Sequence, residues 1–316
     1  MNLNKYNLLA GDASFRKFYR SPKKSIIVFS HKNKYSNLLV YEAINRCLNQ
    51  NGVPAPNLIK QEYNKNYIEI QDLGNETLLN ILKKKKNKIR IYFNIIRILN
   101  LIQKIQTKSI KSFKNKKYVI PKYTKNKLLK ESNLFLEWYL PKVVKKTKIY
   151  NAKKEIKNIF SDLYENLKLK KKVLVHRDFH VSNMMLHKKK IYLIDSQDAV
   201  YGNIAYDLAS LIDDVRYSTS KELKKKIFRI FTKSNSYIDK TKLKNDFEIL
   251  SVLRNFKIIG IFTRLAIRDK KKNYLKMIPY AWKLIEQRMS ENFIFKDLEL
   301  KLNKYINKKI RLKKWK

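Results

Sequence analysis

The stretch VLVHRDFHVSN at residues 173–183 contains the most specific chemical pattern in the chain. It begins with Val173–Val175, a short apolar run that predicts a buried strand. The residues that follow combine histidine, arginine, aspartate and asparagine without any apolar period. This composition predicts a polar loop at the end of the strand, and such loops are typical positions for functional side chains.

Two further strands are predicted directly after this loop. Residues 184–186 and 191–194 are apolar, and the polar residues 187–190 between them predict the turn of a hairpin. Asn183 precedes the first of these strands and Asp195 follows the second. Because the strands of a hairpin lie side by side, the pattern predicts that Asn183 and Asp195 are neighbours.

Asp178, Asn183 and Asp195 together match the needs of phosphoryl transfer. This reaction requires a base near the acceptor hydroxyl, oxygen ligands for Mg²⁺ and donors for the phosphates. Asp178 is a candidate base, and Asn183 and Asp195 offer the hard oxygen atoms that Mg²⁺ prefers. Asp and Asn are also common in turns, so three ordinary turn residues are the alternative. Their order, spacing and strand context favour the phosphotransfer site.

The pattern H-x-D-x-H-x-x-N, followed by an apolar strand and I-D, resembles the catalytic and metal loops of the aminoglycoside phosphotransferases and their relatives. It is also similar to the H-R-D and D-F-G elements of protein kinases. The resemblance implies that Asp178 is the catalytic base and that Asn183 and Asp195 bind the metal. Residues 202–211 resemble the D-L-A element of the same superfamily, in which we expect Asp207 to be structural.

The remaining patterns predict an α+β protein with the two-lobed, protein-kinase-like fold of the aminoglycoside phosphotransferases. Short strands are expected within residues 9–20 and at 25–29 and 67–70, a helix at 36–49 that ends near Gly52, and mostly helices after Gly74. This order predicts a small β-rich N-lobe at residues 1–71 and a larger helical C-lobe at residues 72–316. The ligand is expected in a cleft between the two lobes.

Several stretches resemble one group more closely, the bacterial anomeric sugar kinases that act on N-acetylmuramate and N-acetylglucosamine. They are LAGDASFRKFYR at 9–20, NGVPAP at 51–56, IQDLG at 70–74, DSQDA at 195–199 and KIIGIFTRL at 257–265. Ser196 departs from the pattern of this group, D-F-Q-D-A, in which Phe is usual. The resemblance spans about residues 8 to 290. It implies ATP-dependent formation of a sugar 1-phosphate in cell-wall recycling, with Mg²⁺ as the cofactor.

The nucleotide is expected near the first turn of the chain and near the segment that links the lobes. Glycine permits a turn close to the triphosphate, where free backbone N–H groups can bind phosphate oxygens. A plain hairpin turn is the alternative for Gly11 and Asp12. The residues that we predict to bind nucleotide are Gly11, Asp12, Ser14, Arg16, Gln71 and Leu73.

One feature of protein kinases is missing from this part of the sequence. Relatives with protein-kinase-like geometry carry a lysine on the strand that follows the Gly-rich turn, but the run IIVF at residues 26–29 contains none. Lys24 and Lys32 lie outside this run. We therefore expect Arg16 or Arg20 to take the place of the lysine in gripping phosphate.

The acceptor is expected to contact residues next to the metal loop. Gln197 and Asp198 follow Asp195 closely and offer hydrogen bonds to sugar hydroxyls. His180 is a further candidate, although a histidine that packs the loop is an equally good interpretation.

A later helix offers a second set of acceptor candidates. At 100° per residue, Arg254, Lys257, Arg264 and Arg268 fall within about 80° of one another. Such a basic stripe can bind an acidic group such as the lactyl carboxylate of muramate, for which we single out Arg264 and Arg268. The alternative is a solvated face in a chain with 72 Lys and Arg residues.

The formal net charge of +46 indicates either a partner that is a polyanion or a bias in amino-acid usage. The lysines occur in scattered runs rather than in one tail or stripe, which favours bias and argues against a nucleic-acid partner. Cys47 is the only cysteine, so an intramolecular disulfide is excluded. The chain also lacks an apolar run of the roughly 20 residues that span a bilayer. We expect a cytoplasmic protein whose partners are ATP and a sugar; its oligomeric state stays open.

Two alternatives remain open at this point. The first is the same fold with another acceptor, such as an aminoglycoside, choline, homoserine or a protein hydroxyl. An aminoglycoside site should be acidic, whereas the chain has only 26 acidic residues. The second is a basic RNA-binding pseudokinase, although RNA binding does not require the trio of Asp178, Asn183 and Asp195.

Overall fold

The computed structural model describes residues 6–9, 16–30, 34–111 and 117–313. The predicted nucleotide-binding residues Gly11, Asp12 and Ser14 lie outside the described residues. The chain divides into two compact units: unit 1 comprises residues 1–122 and 172–201, and unit 2 comprises residues 123–171 and 202–316. The functional boundary that the sequence indicates at residues 71/72 stays a prediction.

The secondary structure combines short strands with helices of very different lengths. The strands are β1 (Asn7–Leu9), β2 (Arg16–Arg20), β3 (Ser25–Ser30), β4 (Leu58–Glu62), β5 (Tyr67–Gln71), β6 (Ser109–Lys111), β7 (Lys117–Val119), β8 (Lys172–Val175), β9 (Met184–His187), β10 (Lys190–Leu193) and β11 (Val200–Asn203). The helices are α1 (Lys34–Gln50), α2 (Leu78–Lys84), α3 (Ile89–Lys104), α4 (Lys125–Ser132), α5 (Leu140–Val143), α6 (Ile149–Glu165), α7 (Ala205–Ile212), α8 (Lys221–Ser234), α9 (Lys240–Arg268), α10 (Ile278–Glu291), α11 (Lys296–Tyr305) and α12 (Lys308–Arg311). Among the described residues, none of these helices is long and apolar enough to cross a membrane.

Unit 1 is built on a five-stranded sheet with the order β1-β2-β3-β5-β4. All of its neighbouring strands pair antiparallel. Strand β3 reads SIIVFS, and its β-branched residues suit a central strand. Ile26 and Val28 from one face of β3 pack with Leu38 and Tyr41 of α1 into a buried cluster. The helix therefore covers one face of the sheet.

The sequence predicts the central elements of unit 1 correctly. The predicted strands at 25–29 and 67–70 lie within β3 and β5, and the predicted helix lies within α1. This helix ends just before Gly52, whose φ of +74° is the left-handed conformation that glycine adopts readily. Strand β4 and the hairpin of β6 and β7 were not predicted. β4 is an edge strand with mostly exposed residues, LIKQE, so it lacks an apolar alternation.

Unit 2 is mainly helical and is organised around the 29-residue helix α9. Gly260 lies in the middle of this helix, where the neighbouring backbone comes very close. A Cβ atom at Gly260 would lie 2.3 Å from the carbonyl carbon of Leu134 and 2.4 Å from the backbone nitrogen of Phe135. Phe135 begins a short π-helical segment, Phe135–Tyr139, and is fully buried. The glycine in KIIGIF is therefore required by close packing within unit 2.

We predict that Gly260→Ala destabilises the protein strongly. The added methyl group meets backbone atoms rather than a movable side chain, so we expect a loss of about 3 kcal/mol in the free energy of unfolding. Urea denaturation measures this loss, with Ile267→Ala as a control at a partly exposed position of the same helix. Equal stability of Gly260→Ala and the wild type would contradict this packing.

A buried ionic cluster holds the helices of unit 2 together around Asp213. Its carboxylate accepts hydrogen bonds from Lys224 Nζ at 2.7 Å, Arg288 Nε at 2.9 Å and Ser251 Oγ at 2.6 Å. Burial alone would raise the pKa of Asp213, but the charges of Arg288 and Lys224 outweigh it and lower the pKa to about 2. The ionised carboxylate is therefore the form that the folded state stabilises.

We predict that Asp213→Asn lowers the free energy of unfolding at pH 7 by about 3–5 kcal/mol, because it leaves two buried cations without their anion. The folded-state pKa lies below the ordinary value of 3.8, so the stabilisation is present above about pH 4 and is lost as the pH falls towards 2. Urea denaturation of both proteins from pH 7 to pH 2.5 should show the difference shrinking with acid. A constant difference would contradict the assignment.

Candidate active site

The loop between β8 and β9 is held in shape by its own backbone. The Asp178 carbonyl oxygen accepts from His180 N at 3.0 Å, and the His180 carbonyl oxygen accepts from Asn183 N at 2.9 Å. Arg177 has a φ of +74°, an uncommon conformation for a residue with a side chain. Successive tight turns therefore carry the chain from the buried strand through Asp178, whose side chain is partly exposed.

The predicted hairpin is confirmed, and it sets the positions of the two predicted metal ligands. β9 pairs with β10 in antiparallel register, with Met184 opposite Leu193. The ladder continues one step further, because Ile194 N donates to the Asn183 carbonyl oxygen at 3.0 Å. Asn183 and Asp195 consequently lie at neighbouring positions at the open end of the hairpin.

The orientation of the Asn183 amide follows from one hydrogen bond. Asn183 Nδ2 donates to the carbonyl oxygen of Asp178 at 3.1 Å. Only the nitrogen of an amide can donate to a carbonyl, so the Asn183 Oδ1 atom points away from this contact. Within the described part of the chain, Asn183 Oδ1 accepts no hydrogen bond. An oxygen atom suited to a hard cation is thus available.

Only one carboxylate oxygen of Asp195, Oδ1, accepts a hydrogen bond from a described residue. Its Oδ1 atom accepts from Gln197 Nε2 at 2.9 Å and lies 3.8 Å from the guanidinium of Arg16. Among the described residues, no group donates a hydrogen bond to Asp195 Oδ2. Desolvation is the main reason that the pKa of Asp195 is raised, and the Asp178 carboxylate raises it further. A cation at this position would be favoured by both carboxylates.

The donor set of this site fits Mg²⁺. Among the described residues, no three His, Cys, Asp or Glu side chains form a group that would bind a metal by themselves. Mg²⁺ does not need such a group, because it is commonly held by one or two carboxylates together with water and substrate phosphates. Asn183 Oδ1 and Asp195 Oδ2 supply the protein oxygens of such an arrangement.

His176 joins the end of β8 to the end of β10. The His176 side chain is buried, and its Nε2 atom lies 3.2 Å from the Ile194 carbonyl oxygen. Desolvation lowers the pKa of His176, so the ring is neutral and Nε2 donates to the carbonyl. This contact fixes Ile194, the residue between the hairpin ladder and Asp195. His176 therefore links the two strand ends from which Asp178 and Asp195 follow.

Arg16 and Arg20, the two candidates for the missing lysine, differ sharply in their surroundings. Arg20 clasps the lobe-linking segment: its Nε donates to Asp72 at 2.6 Å, and its NH2 donates to the Gly74 carbonyl oxygen at 3.0 Å. Arg16 is buried, lies 3.8 Å from Asp195 Oδ1, and has its guanidinium carbon 5.8 Å from the centre of the Tyr41 ring. Arg16 is therefore the arginine at the predicted metal loop.

The other predicted nucleotide residues of unit 1 lie at the end of β5. Gln71 pairs with Ser25, and its side-chain Oε1 accepts from Asn57 Nδ2 at 3.4 Å. Leu73 is buried. Their contacts with nucleotide stay a prediction.

The predicted acceptor residues next to the metal loop have different environments. His180 is buried, which favours the loop-packing role that the sequence left open. Gln197 is also buried; its Nε2 donates to both Asp195 and Asp198, while its Oε1 accepts no hydrogen bond from a described residue. Asp198 is exposed and lies 3.7 Å from Arg177.

Comparison with known proteins identifies the family. The model of the phosphotransferase enzyme family (APH) matches residues 5–232. The chain belongs to this family. It is an ATP-dependent phosphotransferase.

Among curated proteins, the phosphotransferase is similar to enzymes named N-acetylmuramate/N-acetylglucosamine kinase. The one from Neisseria meningitidis serogroup B is 27% identical over 279 residues, which cover 85% of this chain and 81% of the relative. The one from Pseudomonas aeruginosa is 26% identical over 291 residues, which cover 88% of this chain and 81% of the relative.

Solved structures confirm the predicted α+β, protein-kinase-like fold of the phosphotransferase. The aminoglycoside phosphotransferase APH(2")-IIIa, in its complex with GDP and kanamycin, has a TM-score of 0.63 at 13% identity and covers 93% of this chain and 95% of its own. Amicoumacin kinase hAmiN, in a complex with AMP-PNP, Ca²⁺ and Ami, has a TM-score of 0.61 at 14% identity and covers 90% of this chain and 88% of its own.

The basic stripe predicted on α9 is not continuous in unit 2 of the phosphotransferase. Arg254 and Lys257 are buried, and Lys257 Nζ lies 2.8 Å from Glu131. The alternative of a solvated face is therefore wrong for these two residues, because a helix surrounded by other helices buries most of its circumference. Arg264 is partly buried, and Arg268 is exposed and pairs with Asp269 at 2.8 Å. Their contact with substrate stays a prediction.

Two residues of α1 near the metal loop were missed by the sequence reasoning. Asn45 Oδ1 accepts a hydrogen bond from Ser196 Oγ at 2.6 Å, and Tyr41 lies beside Arg16. Helical spacing predicted only that α1 has an apolar face. The one available signal was Ser196 itself, a polar residue at a position where the related pattern has Phe.

Proposed function

We propose that the phosphotransferase transfers the γ-phosphoryl group of ATP to the anomeric hydroxyl of an amino sugar, N-acetylmuramate or N-acetylglucosamine. The observation that carries this proposal is a chain of hydrogen bonds in unit 1: Asn183 bonds to the Asp178 backbone through its side chain and to Ile194, the neighbour of Asp195, through its own backbone. The names of the curated relatives support the choice of sugar. ATP as the donor is the reason that we expect the reaction in the cytoplasm.

In the proposed mechanism Asp178 accepts the proton of the acceptor hydroxyl. The acceptor oxygen forms a bond to the γ-phosphorus while the bond between that phosphorus and the bridging oxygen of ADP breaks, so a sugar phosphate and ADP result. Asn183 Oδ1 and Asp195 Oδ2 would hold Mg²⁺, which, when bound, neutralises charge on the phosphate oxygens. The Asn183 amide also fixes the backbone at Asp178, so the base and a metal ligand are set by the same contact.

Arg16 is our candidate for the phosphate-binding cation of the N-terminal sheet. Its guanidinium places a positive charge next to Asp195, the predicted metal ligand. Arg20 is engaged by Asp72, Asn75 and Gly74, so its donors are already used at the lobe-linking segment.

For the sugar, Gln197 and Asp198 are the residues of unit 1 that we propose to contact hydroxyl groups. Gln197 has a buried acceptor oxygen, and Asp198 is exposed. In unit 2, Arg264 and Arg268 remain our candidates for the lactyl carboxylate of muramate. His180 is the weakest candidate, because its side chain is buried.

The proposal predicts ATP consumption with amino sugars, and its loss in Asp178→Asn. The amide keeps the shape of the side chain but cannot accept the proton, so turnover should fall by roughly 10²-fold or more. A panel of amino sugars, aminoglycosides, choline and homoserine, assayed by mass spectrometry, identifies the acceptor and locates the new phosphate.

Two measurements keep this test informative. Asp162→Asn makes the same change at an exposed position of α6 and should retain full turnover. Calorimetric titration with AMP-PNP should show that Asp178→Asn still binds nucleotide. Phosphorylation of choline or an aminoglycoside alone would replace the sugar in the proposal, and salt-sensitive RNA binding without any ATP turnover would overturn it.

A second prediction separates the two arginines. Arg16→Ala should raise the apparent Michaelis constant for ATP by roughly tenfold or more, because a charged hydrogen-bond donor to phosphate is lost. Arg20→Ala should lower the thermal stability through loss of its contacts with Asp72, with a smaller effect on that constant. Steady-state kinetics with varied ATP concentration measures this constant for both variants. An unchanged Michaelis constant for ATP in Arg16→Ala would show that Arg16 does not bind the nucleotide.

A further inference from the structure

The residue that follows Asp195 makes a buried polar contact with α1. Ser196 Oγ donates to Asn45 Oδ1 at 2.6 Å, and the two residues are 151 positions apart in the chain. The exposed fractions are 0% for Ser196 and 3% for Asn45. A buried hydroxyl and a buried amide are costly to leave unpaired, so this hydrogen bond strongly favours one position of the turn after Asp195.

The Asn45 side chain is held in one orientation by a second contact. Its Nδ2 atom donates to the Pro56 carbonyl oxygen at 3.3 Å, so its oxygen must face Ser196. The same proline-containing segment binds the hairpin, because Leu193 N donates to the Pro54 carbonyl oxygen at 2.8 Å. The segment between α1 and β4 thus supports both the metal loop and the strand that leads into it.

Two further contacts lead from α1 back to the Asp195 carboxylate. Tyr41 precedes Asn45 by one helical turn, so the two side chains lie on the same face of α1. The Arg16 guanidinium lies 5.8 Å from the Tyr41 ring and 3.8 Å from Asp195 Oδ1. Burial raises the pKa of Tyr41 to about 12, with a further contribution from the Asp195 charge. Arg16 therefore lies near both Tyr41 of α1 and the Asp195 carboxylate, while Ser196 in the following turn contacts α1 directly through Asn45.

This support matters because Asp195 has a costly backbone conformation. Its φ is +62° and its ψ is +37°, which is the left-handed region that residues with a side chain seldom adopt. Such a conformation persists only where surrounding contacts hold it. The Ser196 hydrogen bond acts on the residue immediately after this point, so its loss would release the strained turn.

We propose that Asn45 and Ser196 are positioning residues that hold the Asp195 carboxylate in its metal-binding orientation through their buried hydrogen bond. At position 196, where the related pattern has Phe, this chain thus holds the turn by a hydrogen bond between Ser196 and Asn45. The inference rests on the proposed function, because it takes Asp195 as a ligand of the metal–nucleotide complex.

The test measures metal binding directly, with Mn²⁺ as the probe and AMP-PNP present, by electron paramagnetic resonance of the full chain. Ser196→Ala and Asn45→Ala should each weaken Mn²⁺ binding by about 10–100-fold, the usual effect of removing a residue that orients a ligand. Ser196→Thr retains the hydroxyl and should restore binding. The double variant should bind Mn²⁺ no more weakly than Asn45→Ala alone, because the hydrogen bond of Ser196 is already lost in that variant.

Ser210→Ala is the matched control. Ser210 is equally buried at 0% exposure, lies on α7 in unit 2, and its hydroxyl makes no hydrogen bond to a described residue. This variant should bind Mn²⁺ like the wild type. Thermal unfolding of each variant shows at which temperature all of them are folded, and the titrations are carried out there. A general loss of stability would not produce rescue by threonine alone.

Two outcomes separate this inference from the function on which it rests. Unchanged Mn²⁺ binding in folded Ser196→Ala, together with loss of binding in Asp195→Ala, would overturn the positioning role and leave the metal site intact. Unchanged binding in Asp195→Ala would overturn the metal role of Asp195 itself, and with it both the inference and the proposed mechanism. Additive losses in the double variant would show that Asn45 and Ser196 act independently, which also contradicts the proposal.

Discussion

One backbone hydrogen bond, from Ile194 N to the Asn183 carbonyl oxygen, determines the geometry of the site. It extends the ladder by one step beyond β9 and β10. Asn183 and Asp195, which are twelve positions apart in the sequence, are thereby brought close together. Oxygen ligands for a cation must converge within a few ångströms, and side chains on separate flexible loops would pay a large entropic penalty to do so. A short hairpin avoids this penalty, since its register fixes both ends at once.

The chain segments that enter and leave residues 172–201 are tied to each other within unit 2. Asp246, fully buried in α9, accepts from the backbone nitrogens of Lys168 at 2.7 Å and Leu169 at 2.9 Å, and from Asn203 Nδ2 at 2.6 Å. One carboxylate thus contacts the chain just before β8 and at the last residue of β11. The buried carboxylate thereby joins two parts of unit 2 that are far apart in the sequence.

Sequence reasoning succeeded where local pattern and chemistry agree. The hairpin follows from apolar runs with a polar turn, and its turn residues Lys188 and Lys189 adopt positive φ values although neither is Gly or Asn. The hairpin forms although lysine disfavours this backbone conformation, and it places Asn183 beside Ile194, the neighbour of Asp195. The surroundings of the α9 stripe could not be predicted in the same way. Angular position on a helix says which residues share a face, but it does not say whether Lys257 will meet solvent or Glu131.

The Ser196 contact shows a further limit of the sequence. From the sequence alone, a serine in place of the usual aromatic residue predicts a less stable metal loop, because it removes apolar contact area. The hydrogen-bond partner of Ser196, Asn45, lies on helix α1, whose pattern predicts only an apolar face towards the core. The sequence does not indicate which residue an asparagine on this helix contacts. Polar contacts between residues 151 positions apart depend on tertiary structure, and each buried polar member is unfavourable without its partner. Such a pair is favourable only when both members are present, because each satisfies the buried group of the other. The same dependence makes the pair specific: one turn after Asp195 satisfies both groups, and a shifted turn would leave a buried hydroxyl and a buried amide oxygen unpaired.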